Sequence, residues 1–123
     1  LWGLAFKPGT DDMREAPSRN LLEALWREGC AVRAYDPAAM NEARRIYGER
    51  PDFQLCDRPM ETLAGADALV IVTEWSLFRS PDFAAIREQL KQALIFDGRN
   101  LYDPDYLREQ GFVYYAIGRG EPA

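Results

Sequence analysis

One stretch near the start of the chain organises the rest: Gly3-Leu4-Ala5-Phe6-Lys7-Pro8-Gly9-Thr10-Asp11-Asp12-Met13-Arg14-Glu15-Ala16-Pro17. It begins in an apolar strand and breaks at a Lys-Pro-Gly turn. It then continues through charged and hydroxyl side chains to the start of a helix. In an open parallel sheet, the loop that leaves the carboxyl end of the first strand lies where ligands bind. Lys7 and Arg14 are therefore the first candidates for holding an anionic ligand.

Strands and helices alternate along the whole chain and are joined by short links. This alternation is typical of βαβ units, so we predict a Rossmann-like, doubly wound α/β domain with three αβα layers. Its mostly parallel sheet has six strands in the order 3-2-1-4-5-6, with the switch point between strands one and four. The predicted strands are 1–6, 31–36, 53–56, 68–73, 94–97 and 113–117, the predicted helices are 18–28, 38–47, 59–64, 82–90 and 104–109, and 118–123 is a loose tail.

Composition limits the classes of partner. The 123 residues predict a single domain, 1–123, and an apolar fraction of 47% is that of an ordinary globular protein. The net charge of -5 argues against a nucleic-acid partner and against an anionic membrane surface. No apolar run approaches the roughly 18 residues that a membrane span needs. A local basic pocket for phosphate remains compatible with this charge.

The sequence offers no metal site and no catalytic set. Two cysteines, Cys30 and Cys56, do not form a CxxC pair, and the chain has no histidine, so zinc is not expected. We interpret both cysteines as buried free thiols in a reducing compartment, the cytoplasm. Neither has an evident basic activator. Without histidine, a general base would have to be a carboxylate, a lysine or a tyrosine, and we assign no catalytic residue.

Two cations are predicted to lie at the carboxyl edge of the sheet. Lys7 suits a phosphate or a sugar hydroxyl as a point charge, and the alternative is a solvated lysine at a loop edge. Arg99 follows the fifth strand, where Gly98 permits a tight turn that lets the arginine project over the same edge. Cations from two separate loops on one edge favour anion binding.

Arg14 and the pair Glu74-Trp75 are further candidates. A cation near a helix N-terminus opposes the helix dipole, so Arg14 either pairs with Asp11 or Asp12 or faces an anion. Glu74-Trp75 lies at the predicted switch point. The indole stacks on a base, fills a partner interface, or is partly buried under the loop that follows.

A dinucleotide site of the usual kind is not encoded. The G-x-G-x-x-G fingerprint is missing after the first strand, because Gly3 and Gly9 have the wrong spacing. Asp36 stands where such domains place a ribose-binding acid. The interpretation that we prefer is that Asp36-Pro37 ends a strand and caps the helix that follows.

The opening stretch, extended to Ser18, resembles the start of the C-terminal UDP-binding domain of the nucleotide-sugar 6-dehydrogenases, the UDP-glucose/GDP-mannose dehydrogenase family. Three motifs continue the resemblance in order over nearly the whole chain. The Met-Arg-Glu-Ala-Pro-Ser and Asp-Gly-Arg-Asn forms are most similar to the members that act on UDP-glucose. Members that act on GDP-mannose or UDP-N-acetylmannosamine are the alternative. The motifs are Val70-Ile71-Val72-Thr73-Glu74-Trp75, Phe96-Asp97-Gly98-Arg99-Asn100-Leu101-Tyr102-Asp103-Pro104 and Tyr114-Tyr115-Ala116-Ile117-Gly118-Arg119.

The resemblance implies an NAD-dependent oxidoreductase that converts UDP-glucose to UDP-glucuronate and works as a homodimer. NAD binds mainly to an N-terminal domain, and a central helical domain mediates dimerisation. The catalytic cysteine, lysine and acidic residues belong to those two parts, and Cys30 and Cys56 do not match the nucleophile motif. We therefore expect the chain, which starts at Leu1 inside a strand, to be a piece of a longer protein and inactive by itself.

The resemblance also implies roles for single residues. Phe6 and Lys7 contact the UDP-sugar, Arg99 reaches the substrate from the neighbouring subunit, and Arg14 approaches NAD across the domain cleft. The loop 8–13 lines that cleft. Two other interpretations stay open: a stand-alone nucleotide-binding or regulatory module, and an NAD-binding Rossmann domain, against which the missing glycine fingerprint counts.

Overall fold

A computed structural model describes residues 1–116 of the chain. Within them, strands and helices alternate as predicted, and the α/β class is confirmed. The end of the last predicted strand and the tail, 117–123, lie outside the described residues. The elements are α1 (Pro17–Arg27), β1 (Val32–Ala34), α2 (Met40–Tyr47), β2 (Phe53–Leu55), β3 (Leu69–Ile71), α3 (Phe83–Gln89), β4 (Leu94–Asp97), α4 (Pro104–Glu109) and β5 (Val113–Ala116), with 3₁₀ turns at Pro59–Thr62 and Ser76–Phe78.

The strands form two parallel groups that one residue joins. β1 pairs with β2, and β4 lies between β3 and β5. Trp2 forms parallel bridges to Tyr35, just past β1, and to Ile71 in β3. Its amide donates to the carbonyl oxygen of Val70 at 2.8 Å, and the amide of Gly3 donates to that of Tyr35 at 2.8 Å. The spatial order is therefore β2-β1-Trp2-β3-β4-β5, which is the order that the sequence predicted.

The prediction of a regular first strand over 1–6 is wrong, and the described residues contain five strands rather than six. Only Trp2 of this segment forms bridges to neighbouring strands. Gly3 has a φ of 98°, which takes the backbone out of the extended conformation. The next two amides, of Leu4 and Ala5, donate to the carboxylate of Asp36 at 2.7 and 3.1 Å instead of to a strand. The buried Asp36 side chain thus accepts the hydrogen bonds that these two amides would otherwise donate to a neighbouring strand.

Two apolar clusters bury the opposite faces of the sheet. Alternate residues of β3 divide between them, as expected for strands covered on both sides. The first cluster packs α3 and α4 against β3, β4 and β5, and the second packs α1 and α2 against β1 and β2. The first contains Trp2, Ile71, Phe78, Ile86, Ile95, Leu107 and Tyr114, and the second contains Leu4, Met13, Leu22, Val32, Ala34 and Ala43.

Most element boundaries follow local signals in the sequence. The bounds of β4 and α4 are those predicted, and Asp82 caps α3 by accepting from the amide of Ala85 at 3.1 Å. The predicted helix over 59–64 is a 3₁₀ turn, and the turn at Ser76–Phe78 was not predicted. No helix of the described part is long and apolar enough to cross a membrane. Residues 1–116 also contain no cluster of acidic, cysteine or histidine side chains suited to a metal ion.

Both cysteines are free thiols, but they differ in exposure. Cys56 is buried, and burial raises the pKa of its thiol. Cys30 is exposed, so the prediction that both thiols are buried is wrong for this residue. The physical reason is its place in the exposed link between α1 and β1, where Gly29 turns the chain with a φ of 82°.

Gly3→Ala is expected to destabilise the fold by about 3 kcal/mol or more. A Cβ atom at this position would lie 2.5 Å from Thr73 Cβ and 2.8 Å from its backbone nitrogen, which cannot move aside. Gly29→Ala is the matched control, since its φ is also positive but nothing lies within 4 Å of the added Cβ. The control should cost only the left-handed penalty of about 1 kcal/mol. Urea unfolding measures both, and equal losses would contradict the close approach.

Candidate functional site

The loops at the carboxyl ends of the parallel strands form one edge, which we call the carboxyl edge. It is built from the loop after Trp2 and the loops after β1, β3 and β4. All of the sequence-predicted binding residues lie on these loops. Open parallel sheets bind ligands at this edge. The contacts that position its side chains therefore decide what it can bind.

Asp36 is fully buried and anchors the carboxyl edge. The donors to its carboxylate are Leu4 N (2.7 Å), Ala5 N (3.1 Å), Ala38 N (2.8 Å), Ala39 N (2.9 Å) and Trp75 Nε1 (3.3 Å). A carboxylate has about four lone-pair positions, so these donors occupy its accepting capacity. The carboxylate caps the turn that leads into α2, in agreement with the preferred interpretation. It has no accepting position left for a ribose hydroxyl.

Two hydroxyls and the indole fix the loops around this carboxylate. Thr73 Oγ1 donates to the carbonyl oxygen of Ala5 at 2.7 Å, and Ser18 Oγ donates to that of Leu4 at 2.6 Å. Trp75 is partly buried against the first apolar cluster while its indole N–H donates to Asp36. Of its three interpretations, the partly buried tryptophan is confirmed.

Asp97, at the end of β4, holds the second loop of the edge in the same way. It is buried, and its carboxylate accepts from three backbone amides and one phenol. These donors are Arg99 N (2.8 Å), Leu101 N (2.6 Å), Tyr102 N (3.3 Å) and Tyr114 Oη (2.6 Å). Burial, with the nearby Asp97 charge, raises the pKa of the Tyr102 hydroxyl well above its usual range. Because the amides of Arg99, Leu101 and Tyr102 all donate to the buried Asp97 carboxylate, the backbone at Arg99 is held in place without a ligand.

Arg99 uses one edge of its guanidinium within the fold. Nε donates to the carbonyl oxygen of Val72 at 2.9 Å, and Nη2 donates to that of Phe6 at 3.1 Å. Glu74 Oε2 lies 3.3 Å from Nε. In the part of the chain that the structure describes, Nη1 forms no hydrogen bond. The Nη1–Nη2 edge is thus available for an anion, and this edge suits bidentate binding of a phosphate.

Lys7 directly follows Phe6, whose carbonyl oxygen accepts the hydrogen bond from Arg99 Nη2. Its ammonium lies 5.4 Å from the centroid of the Phe6 ring, its side chain is exposed, and no carboxylate of residues 1–116 pairs with it. The structure thus brings Phe6, Lys7 and Arg99 of one chain together. Within this chain, Arg99 therefore lies beside the turn that carries Lys7.

Arg14 pairs with Asp12, one of the two predicted partners. Its Nη2 lies 2.8 Å from Asp12 Oδ2, its Nε donates to Oδ1 at 3.1 Å, and its own amide donates to the same oxygen at 2.9 Å. These hydrogen bonds lower the pKa of the Asp12 carboxyl to about 2. The arginine side chain is still 87% exposed. Among the described residues, no contact joins Arg14 to Lys7 or Arg99.

Sequence reasoning missed the buried carboxylate of Asp97 and the contact of Arg99 with Phe6. The first had a signal, because Asp-Gly after a strand is typical of a turn whose side chain accepts nearby amides. The second had none, since it joins residues 93 positions apart.

Two cavities lie away from this edge. One, of about 450 Å³, is at the amino ends of β1 and β2 and is lined by residues that include Leu1, Cys30 and Phe53. The other, of about 340 Å³, is lined by residues that include Arg44 and Arg50. Neither is lined by Phe6, Lys7 or Arg99, so the proposed ligand surface is not one of these cavities.

Fold and site together define a Rossmann-like domain that presents cations at its carboxyl edge and lacks a dinucleotide turn. Residues 1–104 match the UDP binding domain of the UDP-glucose/GDP-mannose dehydrogenase family. The chain belongs to this family.

Curated relatives agree with this assignment. A UDP-glucose 6-dehydrogenase of Pseudomonas aeruginosa is 55% identical over 122 residues, which are 97% of this chain and 27% of the relative. A UDP-glucose 6-dehydrogenase of Rhizobium meliloti is 46% identical over 118 residues, 95% of this chain and 26% of the relative. The chain thus spans about a quarter of the length of these relatives.

Solved structures share the fold. The NDP-N-acetyl-D-galactosaminuronic acid dehydrogenase from Methanosarcina mazei Go1 superposes with a TM-score of 0.78 at 30% identity, over 96% of this chain and 24% of that one. A UDP-glucose dehydrogenase from Pyrobaculum islandicum gives a TM-score of 0.73 at 29% identity, over 93% of this chain and 23% of that one. Both likenesses extend over almost all of the present chain.

Asp36→Asn is expected to destabilise the fold by about 3 kcal/mol, because an amide nitrogen would replace one accepting oxygen and leave buried donors unpaired. Urea unfolding checks this. Asp103→Asn is the matched control, since Asp103 is exposed and caps α4 by accepting from Asp105 N at 3.1 Å. Asn caps a helix about as well as Asp, so the control should change stability by less than about 0.5 kcal/mol. Similar losses in both variants would contradict the anchoring role of Asp36.

The Asp12 carboxyl is expected to titrate with a pKa of about 2, against its ordinary 3.8. Because the folded-state pKa is the lower one, the pair stabilises the fold above about pH 4, and this contribution is lost as the pH falls toward 2. Carboxyl ¹³C chemical shifts measure the titration, and Arg14→Ala should restore the ordinary pKa. Arg108→Ala, which removes a similarly exposed arginine, should leave it unchanged. An ordinary pKa in the parent chain would contradict the pair.

Proposed function

We propose that this chain binds the UDP half of UDP-glucose at the carboxyl edge. It acts as the substrate-binding domain of an NAD-dependent UDP-glucose 6-dehydrogenase that forms UDP-glucuronate. The observation that carries the proposal is Arg99, which is fixed through one guanidinium edge while its Nη1–Nη2 edge stays available beside the Phe6-Lys7 turn. The relatives named UDP-glucose 6-dehydrogenase support the choice of substrate.

The chemistry of a diphosphate matches this arrangement. Its negative charges need cations, and a phosphate oxygen pair accepts two parallel N–H groups from an arginine. Lys7 adds a point charge that needs no fixed geometry. Phe6, which is half-buried, places an apolar ring next to that charge. We propose that these three residues hold one UDP-sugar within a single chain.

This domain provides only a small part of the NAD site. The first turn lacks the glycine fingerprint, and Asp36 has no capacity left for a ribose hydroxyl. NAD, which takes up the hydride in the oxidation, is therefore held mainly by another domain. Arg14 is the residue that we propose to approach it, because its guanidinium is largely exposed while Asp12 holds it in place. We also propose a homodimer, and the free thiols support the cytoplasm as its location.

An NMR titration of the 123-residue chain with UDP, GDP and NAD in separate experiments tests the ligand. UDP is expected to shift the resonances of Lys7 and Arg99. Equal or stronger shifts with GDP would redirect the proposal to the GDP-mannose branch. Shifts with NAD alone, centred on Asp36, would contradict substrate binding by this domain. No response to any ligand would contradict a site that is complete within this chain.

Arg99→Ala in the longest native polypeptide that contains residues 1–123 is expected to raise the KM for UDP-glucose by about 10- to 100-fold, because a hydrogen bond to a charged group contributes about 1.5–3 kcal/mol. Steady-state kinetics with UDP-glucose as the varied substrate measure this change. Arg108→Ala is the control, since Arg108 lies in the last turn of α4 and pairs only with Asp105 among the described residues. An unchanged KM in Arg99→Ala would remove Arg99 from the site.

A further inference from the structure

Glu74 has no assigned role, although its carboxylate lies against the cation that we place in the site. Its Oε2 is 3.3 Å from Arg99 Nε, on the guanidinium edge that also donates to Val72 O and Phe6 O. Two of these oxygens, Glu74 Oε2 and Val72 O, lie at Nε, and Phe6 O lies at Nη2. The Nη1 group points away from them, because the guanidinium is planar.

The backbone on each side of Glu74 is fixed by its neighbours. Thr73 is buried, and its Oγ1 donates to the carbonyl oxygen of Ala5 at 2.7 Å. Trp75 donates its indole N–H to the buried carboxylate of Asp36 at 3.3 Å. Residues before and after Glu74 are thus tied to the loop that carries Phe6 and Lys7. The position of Glu74 is therefore set by hydrogen bonds of the residues on either side of it.

The ion pair contributes little to stability. The Arg99 side chain is 30% exposed and that of Glu74 is 35% exposed, so solvent screens their attraction. Val72 and Phe6 supply only neutral carbonyl acceptors, whereas Glu74 is the charged partner that holds the long arginine side chain against them. The main effect of the ion pair is therefore to orient the guanidinium of Arg99.

We propose that Glu74 is a positioning residue, which fixes Arg99 with its Nη1–Nη2 edge turned toward the ligand. This inference rests on the proposed function. Two physical effects of Glu74 on an anionic ligand have opposite signs. Its negative charge repels the ligand, and this repulsion taken by itself would make the loss of Glu74 tighten binding. Its electrostatic attraction for Nε keeps the guanidinium oriented, so removing this attraction weakens binding. The contact lies on the Nε side, away from the ligand edge, and orientation therefore dominates.

A double-mutant cycle in the longest native polypeptide that contains residues 1–123 tests the proposal. Glu74→Ala is expected to raise the KM for UDP-glucose by about 5- to 10-fold with little change in kcat. Glu74→Gln keeps the size of the side chain but removes the charge that attracts Nε, whose N–H is already donated to Val72 O, so it should also raise the KM, though less than Glu74→Ala. In the Arg99→Ala background, Glu74→Ala should have no further effect, because its partner is already absent. Glu88→Ala, which removes an exposed carboxylate on α3, is the control.

The outcomes separate this inference from the proposed function. A normal KM in Arg99→Ala overturns both. A raised KM in Arg99→Ala together with a parent-like or lowered KM in Glu74→Ala overturns the positioning role alone. It is also overturned if the loss caused by Glu74→Ala persists in the Arg99→Ala background. Thermal unfolding of every variant shows whether a raised KM reflects misfolding, and Glu74→Gln, which keeps the size of the side chain, takes the place of the alanine variant in the cycle if that variant does not fold.

Discussion

The buried carboxylate of Asp36 is the interaction on which the sheet and the carboxyl edge both depend. The first segment forms bridges to neighbouring strands only at Trp2, and its next two amides, of Leu4 and Ala5, would be unpaired in the interior without Asp36. Burying a charge costs much free energy unless hydrogen bonds replace its hydration. Here four amides and one indole supply them. One side chain thereby ties together the loops after Trp2, β1 and β3.

Asp97, at the end of β4, is a second buried carboxylate that accepts from the amides of its loop. Asp97 is the last residue of β4 and Asp36 lies two residues past β1; both are buried, and both accept from amides of the loop that follows. A dinucleotide-binding turn reaches its ligand with backbone amides, and it needs glycines for close approach. In this chain the amides near the two strand ends are turned inward to carboxylates. Side-chain cations are then the groups left to face an anion.

The sequence predicts what local patterns decide, and it fails where distant residues decide. The bounds of β4 and α4 follow from an apolar run and from Asp-Pro, which are signals within a few residues. The strand order follows from the rules for βαβ units. The first strand was overestimated because its end depends on the positive φ of Gly3 and on a carboxylate more than 30 positions away. The edge was predicted from Lys7 and Arg99, but the contact that joins their loops was not, since no local pattern encodes it.

The use of an arginine at position 99 follows from the two edges of its guanidinium. One edge donates to the carbonyl groups of Val72 and Phe6, which belong to different loops, and in the proposed site the other is left for the ligand. A lysine ammonium has three donors around one point and no second edge at a distance, so satisfying both carbonyls would draw its charge into the fold. The planar guanidinium separates the two tasks by the width of the group. A chain with a net charge of -5 can thus present a fixed positive charge where its loops meet.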